Sequence, residues 1–233
     1  MKICLIDIPG IPLGKHNIRD PRLDLVDELV AADKKTYVQA DVVSEEGLAA
    51  ADCILVHRNR RVDLILQDLE FIDTRLGRHP GDAEKVVLLK LEETLESETF
   101  ASAAALSAEE RALIAANALV TSRPVVVADP EEREATEALM VRAYQESGYI
   151  SFLTVGGKEN RAWTIRKGCT AWEAAGVIHS DIQRGFIRAE VIGFDDLVEA
   201  GGEIQAKRAG KQRLEMKQYV MKDYDVVNYR FSR

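Results

Sequence analysis

The chain has little of what would commit it to several protein classes. It carries three cysteines in 233 residues, Cys4, Cys53 and Cys169, an odd and widely spaced set with no C-x-x-C pair. That count argues against a disulfide scaffold and that spacing against a cysteine metal site, so three free thiols in apolar surroundings are expected. No run of about 18 apolar residues occurs, and the apolar start is broken at Asp7, too early for a signal-peptide core. The expectation is a soluble, cytoplasmic chain with no membrane partner. A catalytic triad is missing as well. His179 and Asp181 flank Ser180, but neighbours at one helix end seldom reach triad geometry, and capping is the plainer role. No catalytic residue and no metal ligand is assigned.

What is present suits a globular protein of one or two domains, with 46% hydrophobic residues. The net charge of −8 is unevenly spread: residues 149–233 hold 14 Lys and Arg against 11 Asp and Glu, leaving 17 against 28 in residues 1–148. An anionic partner would therefore meet the C-terminal half.

Four β-rich runs mark the first half: Lys2–Ile8, Thr36–Val43, Cys53–His57 and Pro124–Ala128. Three are nearly continuous in apolar residues, as in parallel strands covered on both faces. Between the third and fourth, Ile65, Leu69, Ile72 and Leu76, then Val87, Leu91 and Leu95, repeat at helical spacing around the break at Pro80–Gly81. This predicts a helical hairpin, too short for a sustained coiled coil. Ser107 and Glu110 spell a capping box for a helix from about Ala108. After residue 148 the pattern turns to short alternating stretches around a helix at about Thr170–Ile178, with a second helical stretch at about Glu203–Gln212.

The stretch "RAWTIRKGCTAWEAAGVIHSDIQRGFIRAEVIGFDDLVEAGG", followed by "AKRAGKQRLEMKQYVMKDYDVVNYRF", closely resembles the C-terminal TGS domain of the YchF/Obg-like ATPases, a translation-associated branch of P-loop proteins. Upstream, "DPRLDLVDEL", "KKTYVQADVV", "ADCILVHR", "LILQDLEFIDTRLGR", "LSAEERALI" and "SRPVVVADPEE" resemble that family's remaining segments in the same order. The resemblance implies an α/β chain: a truncated P-loop-type parallel-sheet domain over residues 1–148, with a helical hairpin insert at about 63–100, then an α+β β-grasp (TGS) domain over 149–233.

The same resemblance places "KICLIDIPGIPLGKH" at the family's first strand and phosphate loop, which makes the D-x-x-G at Asp7–Gly10 a coincidence of spelling. A Walker A loop needs glycines so that backbone N–H groups close around phosphates, Lys for the β/γ charge and Ser/Thr for Mg²⁺. Gly14 and Lys15 survive, and Gly10 supplies another flexible position. Pro9 and Pro12 remove donors, and His16 stands at the Mg²⁺-ligand position, where neutral imidazole is a poor match for a hard ion. If Asp7 aligns with the first glycine, it adds negative charge beside the phosphates. The segment for the first helix and first switch is almost absent, and the second switch reads "DVVSEEG", with Ser44 where glycine is needed. The base-reading N-x-x-E becomes Asp129-Pro130-Glu131-Glu132, in which Glu132 matches and Asp129 does not.

On the C-terminal half, Arg161 and Trp163 share a strand face, with Arg166 and Lys167 beyond them, and Lys207, Arg208 and Lys211 form a basic stretch in which Lys207 and Lys211 are spaced i, i+4. The solvated or core reading of each stands beside contact with RNA. The leading expectation is a YchF-like, translation-associated binding protein that has lost ATP/GTP hydrolysis, takes no cofactor, and contacts the ribosome, RNA or a protein or ligand partner through its TGS domain. The alternative is a weak adenine-nucleotide-binding ATPase using ATP and Mg²⁺ through a loop rebuilt from Gly10, Gly14 and Lys15; a decayed paralogue with no partner is a third reading.

Overall fold

The structure, a computed structural model, describes residues 1–129 and 136–232. In chain order these form β1 (Lys2–Ile6), β2 (Gly14–Ile18), α1 (Pro21–Leu29), β3 (Lys35–Thr36), β4 (Val38–Val43), β5 (Cys53–His57), α2 (Arg61–Leu76), α3 (Asp82–Glu96), α4 (Ala108–Ile114), β6 (Val125–Ala128), α5 (Thr136–Glu146), β7 (Tyr149–Thr154) and β8 (Asn160–Arg166). There follow α6 (Ala171–Ile178), α7 (Ser180–Arg184), β9 (Phe186–Ile192), α8 (Phe194–Ala200), α9 (Glu203–Arg208), β10 (Arg213–Glu215) and β11 (Asp225–Phe231). The chain divides into two compact units, residues 1–16 with 40–139, and residues 17–39 with 140–233.

The first unit is built on a sheet of order β2-β4-β1-β5-β6, in which β1 runs parallel to β4 and β5, and β5 parallel to β6. β5 is buried at every position and β1 at all but its first, which is why both are nearly unbroken apolar runs. Leu64 of α2 packs with Cys4, Ile6, Ile54 and Val56. The other flank of α2 meets α3, where Ile65, Ile72, Leu88, Leu91 and Leu95 form a second core. The hairpin turns through His79, which takes a positive φ of 55°, into Gly81 at the start of α3. Asp68 anchors the base of this hairpin: its buried carboxylate accepts the N–H groups of Val120 (2.6 Å) and Thr121 (2.8 Å) and the Thr121 hydroxyl.

The second unit is a mixed sheet of order β10-β9-β11-β7-β8-β3. β7 and β8 form an antiparallel hairpin, β11 runs parallel to β7, and β9 runs antiparallel to β11. α6, opened by a capping box between Thr170 and Glu173, lays Ala171, Ala174 and Ala175 against Phe152, Ile165, Val191 and Val227. Residues 17–39 belong here because β3 pairs in parallel with β8 and because Arg22 lies 3.7 Å over the Tyr224 ring. Arg22 also pairs with Asp20 at 2.7 Å and Asp223 at 2.8 Å. Asn160, wholly buried, is satisfied on both ends of its amide by Gly156 N–H, Asp27 and Val30 O.

Three sequence expectations shift. The run Thr36–Val43 is two strands, because Thr36 pairs with β8 while β4 pairs with β1; Tyr37, hydrogen-bonded to Asp24, is the joint. The first strand stops at Ile6 rather than Ile8, since Asp7 turns the chain with φ 55°. The helix expected over Glu203–Gln212 ends at Arg208, before Gly210 at φ 71°. A division of the chain at residue 148 also differs from the two units, which assign residues 17–39 to the later part of the chain. Among the described residues no helix is long and apolar enough to cross a membrane.

Candidate functional site

Parallel α/β sheets place ligands at the carboxyl ends of their strands. At that edge of the first unit lie Asp7 after β1, His57 closing β5 and Asp129 after β6. His57 is buried; its Nδ1 accepts the Asn59 N–H at 3.3 Å and lies 3.8 Å from an Asp7 oxygen. Arg58, the next residue, is ion-paired with Asp129. Asp129, expected from sequence at the base-reading position, is thus engaged by an arginine of the same sheet edge. Sequence reasoning missed His57 and Arg58; the available signal was a histidine–arginine pair ending the buried run "CILVHR".

The loop from Asp7 to Leu13 does not lead into a helix. Gly10 and Gly14 both take positive φ, 85° and 108°, but Gly14, Lys15 and His16 lie in β2, the edge strand of the sheet. Anion cradles depend on several N–H groups converging, as they do at a helix N-terminus; a strand sends successive N–H groups to opposite sides. His16 Nε2 lies 2.5 Å from Pro12 O, which folds the loop onto itself, and Lys15 is exposed. The stretch after β4, expected at the second switch, is a 3₁₀ turn over Glu45–Ala50 that begins at Ser44. Ser44 O accepts from Cys4 Sγ at 3.4 Å. Burial, reinforced by Glu45, pushes the Cys4 thiol up to about 11, so it stays protonated. Glu132 lies outside the described residues.

In the second unit, Arg161 stacks 4.0 Å from the Trp163 ring centre, so strand alternation does bring them together. Trp163 is a partial wall of the core, stacked on Phe152 at 6.3 Å, with its indole N–H donated to Thr154 Oγ1 at 2.9 Å. Arg166 lies over Tyr149, its cross-strand partner, at 4.5 Å, and Lys167 is exposed in the following turn. Lys207 pairs with Glu203 at 2.6 Å within α9, and Arg208 is exposed at its end. Lys211 lies beyond the helix and is held by Asp196 at 2.9 Å, a hydrogen bond that keeps its ammonium above the usual range. The i, i+4 face expected for Lys207 and Lys211 is absent because the helix ends between them. His179 is a cap: its Nδ1 accepts the Asp181 N–H at 3.1 Å.

The model of the YchF-GTPase_C family, described as "Protein of unknown function (DUF933)", matches residues 149–232. The chain is 31% identical to the ribosome-binding ATPase YchF of Bacillus subtilis, over 83% of its own length and 74% of the relative's. It is 54% identical to the ribosome-binding ATPase YchF of Pasteurella multocida over 40% of this chain and 26% of that one. With Obg-like ATPase 1 of Danio rerio it shares 42% identity over 43% of its length and 26% of the relative's. The fold is that of the Schizosaccharomyces pombe YchF GTPase, with a TM-score of 0.76 at 19% identity, covering 99% of this chain and 97% of the other.

Proposed function

Because this chain belongs to the YchF family, we propose that it is a ribosome-associated, cytoplasmic binding protein of YchF type that no longer hydrolyses ATP or GTP. Its first unit serves as a degenerate P-loop-type scaffold, and the β-grasp (TGS) portion of its second unit is the contact surface. The observation that carries the reading is the placement of Lys15 in a strand rather than at a helix N-terminus. Phosphoryl transfer rests almost entirely on positioning, so a lysine without a converging backbone cradle has little to act with. Asp7 at the end of β1 adds negative charge where phosphates would need donors. These residues do not fit a Mg²⁺–nucleotide.

Calorimetric titration with ATP or GTP plus Mg²⁺ tests this. No heat up to millimolar nucleotide is expected; micromolar binding that falls on Lys15→Ala would overturn the reading in favour of an ATPase with a rebuilt loop. Co-sedimentation with ribosomes, weakened by Arg161→Ala or Lys167→Ala, is expected for the contact surface. Absence from the ribosomal pellet would favour a paralogue without a retained partner.

A further inference from the structure

β11 is longer than the strand on one of its sides. It pairs with β9 from Val226 to Phe231, but with β7 only at Asp225 and Val226. Beyond Val226, the β7-side edge of β11 has no neighbouring strand among the described residues. The Ser232 N–H donates to Gly185 O on the β9 side at 2.9 Å, so a period of two turns the main-chain groups of Arg230 and Asn228 toward β9 and those of Tyr229 and Phe231 toward the open side. The Asn228 and Arg230 side chains also turn to β9: Asn228 Nδ2 and Arg230 Nε donate to Glu190 at 2.9 and 2.7 Å. What faces the gap is bare main chain.

The gap opens on a cavity of about 470 Å³, bounded by Thr154 and Val155 at the end of β7, by the apolar Ile178, Ile182 and Phe231, and also by the acidic Glu190 and Glu203. Tyr229, whose buried hydroxyl has no hydrogen-bond partner among the described residues, is another wall. Main-chain N–H and C=O groups beside partly apolar walls are poorly served by an apolar small molecule, which would leave them unpaired. An added strand satisfies both, through ladder bonds and alternate side chains. The open edge runs from Val227 to Phe231, about the usual length of a strand.

We propose that this gap is a binding site for an extended peptide segment of a partner protein, which adds as a strand beside Val227–Phe231 and packs alternate apolar side chains on Ile182 and Phe231. The proposal deepens the reading of the second unit as a contact surface and rests on it.

Random seven-residue peptides displayed on phage, selected against the full chain, provide the probe. Enriched peptides, once synthesised, are expected to alternate apolar residues, to lack internal proline, and to slow hydrogen exchange at the Tyr229 and Phe231 amides at least tenfold. Phe231→Asp is expected to weaken their binding tenfold or more. The exchange measurement uses the unaltered chain and so does not depend on that variant folding. No enrichment, or protection confined to other elements, overturns the proposal. A chain that pelleted with ribosomes while its edge amides stayed unprotected would lose the groove and keep the contact surface; edge protection without pelleting would keep the groove and sink the ribosomal reading.

Discussion

Tyr144 donates its hydroxyl to Ile150 O at 2.8 Å and sits 3.0 Å from Ser151 Oγ, and its burial pushes the phenol up to about 12. The folded chain therefore keeps a proton that the unfolded chain releases near pH 10. Its contribution to stability is complete below about pH 10 and is lost as pH rises from there through about 12. The melting temperature is expected to hold to about pH 9.5 and then fall, with a shallower fall in Tyr144→Phe, which should itself cost about 1 kcal/mol at neutral pH. Denaturation scans across pH check this, and an equally steep alkaline limb in the variant would refute it. Cys169 offers a second reading at this scale: burial first, then Glu173, pushes its thiol up to about 11. At pH 8 about one thiol in a thousand is ionised, so alkylation by iodoacetamide should run roughly a hundredfold slower than in the unfolded chain and quicken about tenfold per pH unit. Mass spectrometry of the labelled peptide measures it. At the residue scale, local pairs were readable: Arg161 on Trp163 follows from strand alternation, and the His179 cap from its neighbours. The engagement of Asp129 by Arg58 was not, because it joins the ends of two strands far apart in sequence.

Elements whose ends are specified by short motifs were the most legible. Ser107 and Glu110 form the capping box expected of them, and α2 and α3 turn where Pro80 and Gly81 interrupt the apolar period. Thr170 does the same for α6, accepting the Glu173 N–H while the Glu173 carboxylate returns to the Thr170 N–H at 2.8 Å. Thr170→Ala is expected to lower stability by about 1 kcal/mol, read as a lower urea midpoint at unchanged slope; a change below 0.3 kcal/mol would mean the box contributes nothing to the fold. The run Thr36–Val43 could not be divided from sequence, since no glycine or proline interrupts it and only the pairing partners separate β3 from β4. β2 was illegible for a related reason: Gly14–Ile18 has no apolar periodicity, and it is a strand because β4 offers an edge.

For the molecule as a whole, residues 17–39 are integral to the unit formed by the last third of the chain. Arg22 is the fastener, stacked on Tyr224 and paired with Asp20 and Asp223, while Asp223 also accepts the Ser151 N–H at 2.9 Å. Arg22→Ala is expected to cost about 2 kcal/mol, since charge-assisted hydrogen bonds and a cation–π contact are lost together. A chain from which residues 17–39 are deleted should expose β8 as an open edge and associate at micromolar concentration. Size-exclusion chromatography distinguishes this from a deletion that stays monomeric and folded, which would show that β3 and α1 are dispensable.

The sequence by itself determined the strands buried on both faces, the helical hairpin, the capped helices and the family resemblance of the C-terminal part, because each is written in contiguous residues whose spacing or apolar content has a local physical meaning. Tertiary structure alone decided that Lys15 lies in an edge strand, that Arg58 engages Asp129, that residues 17–39 fold with the second unit, and that β11 outruns β7. Those outcomes depend on which distant segment supplies a hydrogen-bonding edge or a counter-charge, and backbone pairing between strands takes its partner from the fold rather than from neighbouring side chains.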